Sequence, residues 1–145
     1  MKSVYFIIFI FIFIAYCDDH VIQNLNGTWK NELNSTLSLT ADHSGLLTGY
    51  YTTQVGNVDE TRFKLVGQFF PIIEGNGQAT LAFVVNWNQS LHGTKQSVTA
   101  WSAQLIYNDN NELVIDASWI LKENTSWNNR WNSATTNIDL FTKVQ

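Results

Sequence analysis

The stretch Gly27–Thr36, GTWKNELNST, carries the pattern on which the reading of the whole chain turns. As a β-strand it puts Trp29, Asn31, Leu33 and Ser35 on one face and Lys30, Glu32 and Asn34 on the other, because successive side chains alternate across a strand. The even face is polar and belongs to water. The odd face belongs to the core, yet it sets an amide and a hydroxyl beside a tryptophan. A buried polar group without a partner costs about 1–3 kcal/mol, so Asn31 and Ser35 need something to bond.

Working outward, eight segments alternate or are rich in β-branched and aromatic residues: TWKNEL, TLSLT, LLTGYYTT, RFKLVGQFF, ATLAFVVNW, SVTAWSAQLIY, LVIDASWIL and TTNIDLFTKV. Stretches loaded with Gly, Asn and Asp separate them, as turns require. No ten-residue stretch has helical periodicity, apart from a turn near Ser126–Arg130. Short connections imply antiparallel neighbours. An all-β, eight-stranded antiparallel up-and-down β-barrel is expected, since closure removes the exposed edges. A sandwich is the alternative.

The chain opens MKSVYFIIFIFIFIAYC, one Lys followed by an apolar run from Val4 to Ala15. That run is shorter than the ~20 residues of a membrane span and fits a secretory signal over residues 1–17, cleaved between Ala15 and Asp18. Bulky Tyr16 argues against lipidation of Cys17. A secreted domain over residues 18–145 then contains no Cys, so burial and hydrogen bonding must hold it together. Its acidic balance, with a net charge of −4 for the whole chain, and the lack of anything resembling a basic patch argue against nucleic acid and anionic membrane as partners. His20, His43 and His92 are scattered, and no spacing suggests a metal or a nucleophile–base pair. Asn26, Asn34, Asn88 and Asn124 open N-glycosylation sequons, a pattern that an Asn- and Thr-rich chain also produces by chance.

The mixed face of the first strand recurs. Tyr51, Thr53 and Val55 share a face; so do Ser97, Thr99, Trp101 and Ala103, then Trp119 and Leu121, then Asn137, Asp139 and Phe141. Trp87 closes the fifth strand in phase with Phe83 and Val85. Each set joins aromatic or aliphatic groups to a hydroxyl, amide or carboxylate. For any one Thr or Trp, a bond to a nearby carbonyl or a place in the core is the plainer reading. A buried Asp139 resists it, because a carboxylate needs partners. An eight-stranded barrel is just wide enough to be filled by side chains or to hold one small ligand. As a set, these groups fit a pocket with apolar walls and a few convergent polar groups. Either they bond one another and trapped water, or they converge on something that enters; the expectation is that they stay unfulfilled until a ligand arrives.

From about Leu25 to Val144 the chain resembles the avidin and streptavidin family of biotin-binding proteins. GTWKNELNST, LTGYYTTQVGN, FVVNW, SVTAW, SWIL and the Trp131-to-Asp139 spacing before LFTKV carry the likeness, in one order. The resemblance implies that Asn31, Ser35 and Tyr51 donate to the ureido oxygen of biotin, while Thr53 and Asp139 accept its two N–H groups. It implies further that Thr99 meets the thioether sulfur and that Ser97 and the Asn57 backbone N–H hold the carboxylate. Trp87, Trp101 and Trp119 would form walls with Leu33, Val55 and Leu121, and the Val55–Glu60 loop would fold over the ligand. A homotetramer is implied, with Trp131 reaching a neighbouring subunit's site; a dimer is the alternative. Biotin is then a ligand, with no cofactor and no catalysis.

The chain departs from the family pattern in places. The loop NQSLHGTKQ is slightly longer than in bacterial members, and its Lys95 either attracts the ligand carboxylate or is solvated. The Cys pair of the vertebrate members is missing, and Asp139 matches the bacterial carboxylate. Thr136 stands where an apolar residue usually joins two barrels. A lipocalin-like carrier of a hydrophobic ligand and a secreted structural or adhesive β-domain are the rival readings.

Overall fold

The computed structural model describes residues 19–54, 62–87 and 96–144. The expected leader, Val55, Asn57, the Val55–Glu60 loop, Asn88 and Lys95 lie outside the described residues.

Alternation and turn chemistry build eight strands: β1 (Gly27–Lys30), β2 (Thr36–Ala41), β3 (Leu46–Thr52), β4 (Arg62–Pro71), β5 (Ala79–Trp87), β6 (Ser97–Tyr107), β7 (Leu113–Glu123) and β8 (Ala134–Lys143). Each pairs antiparallel with the next, and β1 returns to β8. The sheet is therefore a closed barrel and not a sandwich. On β5, Ala79, Leu81, Phe83 and Val85 are buried, while Thr80, Ala82 and Val84 between them face water. Two hairpins turn on side-chain acceptors: Asp42 Oδ1 takes the N–H groups of Ser44 and Leu46, and Asn108 Oδ1 takes those of Asn110 and Glu112. Asp and Asn favour turns for this reason. Gly67 is required opposite Phe83 on β5, since a Cβ there would lie 2.1 Å from the Ala82 carbonyl oxygen.

The first strand is shorter than the alternation suggests. It stops at Lys30, and residues 31–35 form a turn that keeps Asn31 and Ser35 buried but leaves Leu33 54% exposed. Asn34, at φ 64°, supplies the left-handed residue that the turn needs; Asn tolerates that region better than most residues.

One element was not expected. Residues 19–25 form a helix across the barrel end where β1 begins. Val21 and Leu25 are buried there, and Trp29 Nε1 donates to the Leu25 carbonyl at 2.9 Å. Lys143 Nζ donates to the Gln23 and Asn24 carbonyls at 3.2 and 2.8 Å, the favourable place for a cation at a helix C-terminus. Below the barrel's middle the interior is filled by aliphatic and aromatic groups, Leu37, Leu47, Leu105, Ile115 and Phe141 among them. Among the described residues the buried polar side chains Asn31, Ser35, Thr99 and Asp139 lie toward the other end.

Candidate functional site

At that other end the 31–35 turn is wound around one side chain. Asn31 Oδ1 accepts the backbone N–H groups of Ser35 at 2.9 Å and Leu33 at 3.1 Å, a local Asx bond that competes with strand formation. With its oxygen so engaged, the amide turns its nitrogen across the barrel, where Nδ2 donates to Asp139 Oδ1 at 3.1 Å. Asp139 Oδ2 accepts from Trp101 Nε1 at 2.8 Å. A buried carboxylate with two donors meets the demand that burial makes of it.

Tyr51 stands in the middle. Its ring stacks on Trp101 with centroids 5.2 Å apart and meets Trp87 edge-on at 5.6 Å. Its hydroxyl faces the Ser35 and Asn31 side chains, both of which act to lower its pKa. Ser35 Oγ also accepts the Gln54 backbone N–H at 3.2 Å, and Trp87 Nε1 donates to Thr99 Oγ1 at 2.7 Å. An amide and two hydroxyls thus converge on one spot beside a carboxylate, walled by indoles.

Between them lies a cavity of about 170 Å³. The turn lines it with Asn31, Leu33 and Ser35, and β3 and its end with Tyr51 and Thr53. Strands β5 and β6 add Trp87, Thr99 and Trp101, and β7 and β8 add Trp119, Leu121 and Asp139. All of these stood in the expected set. Two others do not line the cavity: Ser97 is half-buried at the start of β6, and Trp131 stands 80% exposed on a 3-10 turn, Trp127–Asn132. Phe83, already in phase with Trp87, and Phe63, absent from the expected set, form a supporting layer. Phe83 stacks behind Trp101 at 4.9 Å, and Phe63 meets Trp87 at 4.8 Å. Their inward phase was the available signal.

One expectation is corrected. Among the described residues no buried side-chain nitrogen or oxygen lacks a hydrogen-bond partner. Around the cavity Asn31 and Trp101 are bonded to Asp139, and Trp87 to Thr99, so a ligand must exchange bonds here instead of answering only idle groups. Capacity is left over: a carboxylate has about four acceptor sites, and Asp139 uses one on each oxygen within this set.

The Tyr51 phenol is pushed up to about 12 from an ordinary 10, chiefly by burial. The neighbouring Ser35 side chain opposes that rise, and the negative charges of Asp139 and Glu32 add to it. The folded protein therefore holds this proton more tightly than the unfolded chain does. The resulting stability is complete below pH 10 and is lost as pH rises toward 12, by about 2–3 kcal/mol. Alkaline unfolding followed by circular dichroism is expected to steepen in that window, and Tyr51→Phe should flatten the curve there.

A barrel packed solid at one end, with a small cavity of convergent hydrogen-bonding groups and aromatic walls at the other, has the architecture of a small-molecule-binding site. The comparison with known families narrows the class. The model of the Avidin family matches residues 20–144, and the chain belongs to that family, whose members are binding proteins with biotin as ligand.

Proposed function

We propose that the protein binds biotin non-covalently in this cavity and, as a secreted protein, sequesters the vitamin. The observation that carries the reading is the meeting of Asn31, Ser35 and Tyr51 at one spot beside Asp139. Three donors around one point suit a carbonyl oxygen, as in sites that stabilise oxyanions. A carboxylate next to them suits the N–H of the same urea, through a charge-assisted bond. Thr53 takes the second N–H, and Thr99 faces the sulfur. The indoles of Trp87, Trp101 and Trp119 flank the rings, with Leu33 and Leu121. Ser97 and the Asn57 backbone hold the carboxylate, with Val55 closing over the chain.

Size supports the same choice. At about 170 Å³ the cavity falls below the ~300–1,000 Å³ of pockets for drug-sized ligands, and it suits a compact bicyclic head better than a retinoid or a fatty acid. The walls are already in contact with one another, so little ordering entropy is lost on binding.

The test is to add biotin and follow tryptophan emission and melting temperature. A ligand that binds only the folded form stabilises it, by about 4 kcal/mol at a thousand times its Kd. A flat response to biotin with a rise on adding fatty acid or retinoid would make the protein a hydrophobic carrier. Silence toward all of them would make it a structural domain.

The reading extends to a homotetramer. Ile120, Ile138 and Leu140 stand exposed on the outer face of β7 and β8, and Trp131 is exposed nearby in the chain; apolar groups so displayed are suited to a neighbouring barrel. Trp131 would then cover the next subunit's ligand. Trp131→Ala is expected to speed biotin release at least tenfold with the oligomer intact, measured by displacement of labelled biotin. Unchanged release would remove the neighbour from the site. Glycans are proposed at Asn34 and Asn124, both exposed, and at Asn88. Asn26 is a harder target, since its amide oxygen accepts the Ala41 N–H at 2.6 Å.

A further inference from the structure

Glu32 occupies a position that the alternation assigns to water, and it is exposed. Its carboxylate is nevertheless engaged. Strands β1 and β8 pair Trp29 with Lys143 and Lys30 with Thr142. Two further steps along that register would set Glu32 opposite Leu140. The backbone has by then left the strand for the 31–35 turn, so β1 offers the Leu140 N–H no carbonyl. Glu32 Oε2 accepts that N–H instead, at 3.2 Å. The side chain completes the ladder where the main chain departs.

The location gives this bond a role. Asn31, one residue earlier, reaches Asp139, one residue before Leu140. Adjacent residues of the turn are thus tied to adjacent residues of β8, one pair inside the barrel and one on its rim. We propose that Glu32 is a positioning residue that clips the 31–35 turn to β8 and so sets the Asn31 amide against the Asp139 carboxylate at the distance a urea requires. This rests on the reading of the cavity as a biotin site. The local phenol also feels the clip, since Glu32 is among the charges that raise Tyr51 and keep its hydroxyl a donor.

An acceptor on a strand edge also seals that edge against pairing with another chain, so the test must separate the two roles. Glu32→Ala removes the acceptor, and Glu32→Gln keeps an amide oxygen in its place. In the ligand-free protein, NMR exchange of the Leu140 amide and of the Asn31 side-chain amide is expected to quicken in Glu32→Ala and to return to the wild-type rate in Glu32→Gln. Biotin release is expected to quicken about tenfold in Glu32→Ala, the scale of one lost hydrogen bond, with rescue by Glu32→Gln. Faster exchange at Leu140 alone, with Asn31 and release unchanged, would reduce the clip to an edge seal and overturn the proposal. Unchanged exchange at both amides would also overturn it. A wild-type protein that fails to bind biotin would sink the functional reading, and the Asn31 exchange would still decide whether Glu32 positions the turn.

Discussion

Asp139→Ala is expected to weaken biotin binding about a thousandfold, the largest loss of any single side chain at the site. A hydrogen bond to a charged group contributes roughly 1.5–3 kcal/mol, and the substitution removes more than the bond to ligand. Trp101 Nε1 and Asn31 Nδ2 both donate to this carboxylate, and each loses its acceptor. A donor stranded in a low-dielectric site costs more than its bond contributed. The Asn31 amide, free of its anchor, no longer presents its N–H to the urea oxygen. Asp139→Asn keeps one acceptor oxygen and should fall between. Lys95→Ala is expected to cost little by comparison, since a lysine that is not desolvated against the ligand would contribute only a screened charge. Titration calorimetry of the variants measures the order directly. Equal losses for Asp139→Ala and Lys95→Ala would remove Asp139 from its role.

The second large effect falls on stability. The Trp101 ring lies between Tyr51 at 5.2 Å and Phe83 at 4.9 Å, with Trp87 at 6.3 Å. It is 4% exposed and spends its N–H on Asp139. Truncating a buried aromatic costs roughly 3–5 kcal/mol through lost burial and the cavity left behind. For a domain of this size that lowers the melting temperature by about 10–20 °C. Trp119→Ala is the comparison: Trp119 lines the same cavity but is only half-buried. It should leave the ligand-free protein nearly as stable as wild type while still weakening binding. Thermal unfolding of both variants without biotin decides the matter. Equal destabilisation would show that the two indoles share one role.

The strands were legible because the alternation is clean and the turns carry Asn, Asp and Gly where side-chain acceptors and left-handed residues are needed. Closure was not legible in the same way. It depends on two residue pairs between β1 and β8, at opposite ends of the sequence, and no local pattern encodes them. Alternation misled at residues 31–35, since a tight turn can return Asn31 and Ser35 to the interior with the phase a strand would have given. The helix over residues 19–25 was missed because it spans about two turns of 3.6 residues, too few for periodicity to register. The cavity lining was legible from polar residues on apolar faces. Its internal bonding was not: Asn31 and Asp139 are 108 residues apart, and nothing in either neighbourhood names the other. Glu32 was hidden for the opposite reason, since its position reads as solvent and its partner is a backbone N–H.

A crystal structure grown with saturating biotin tests the central claim most directly. The account predicts the ureido oxygen within hydrogen-bonding distance of Asn31, Ser35 and Tyr51, one ring N–H on Asp139, and the bicyclic rings between the indoles. A map in which the cavity holds only water, with the Asn31–Asp139 bond unchanged and biotin absent or bound elsewhere, would contradict it.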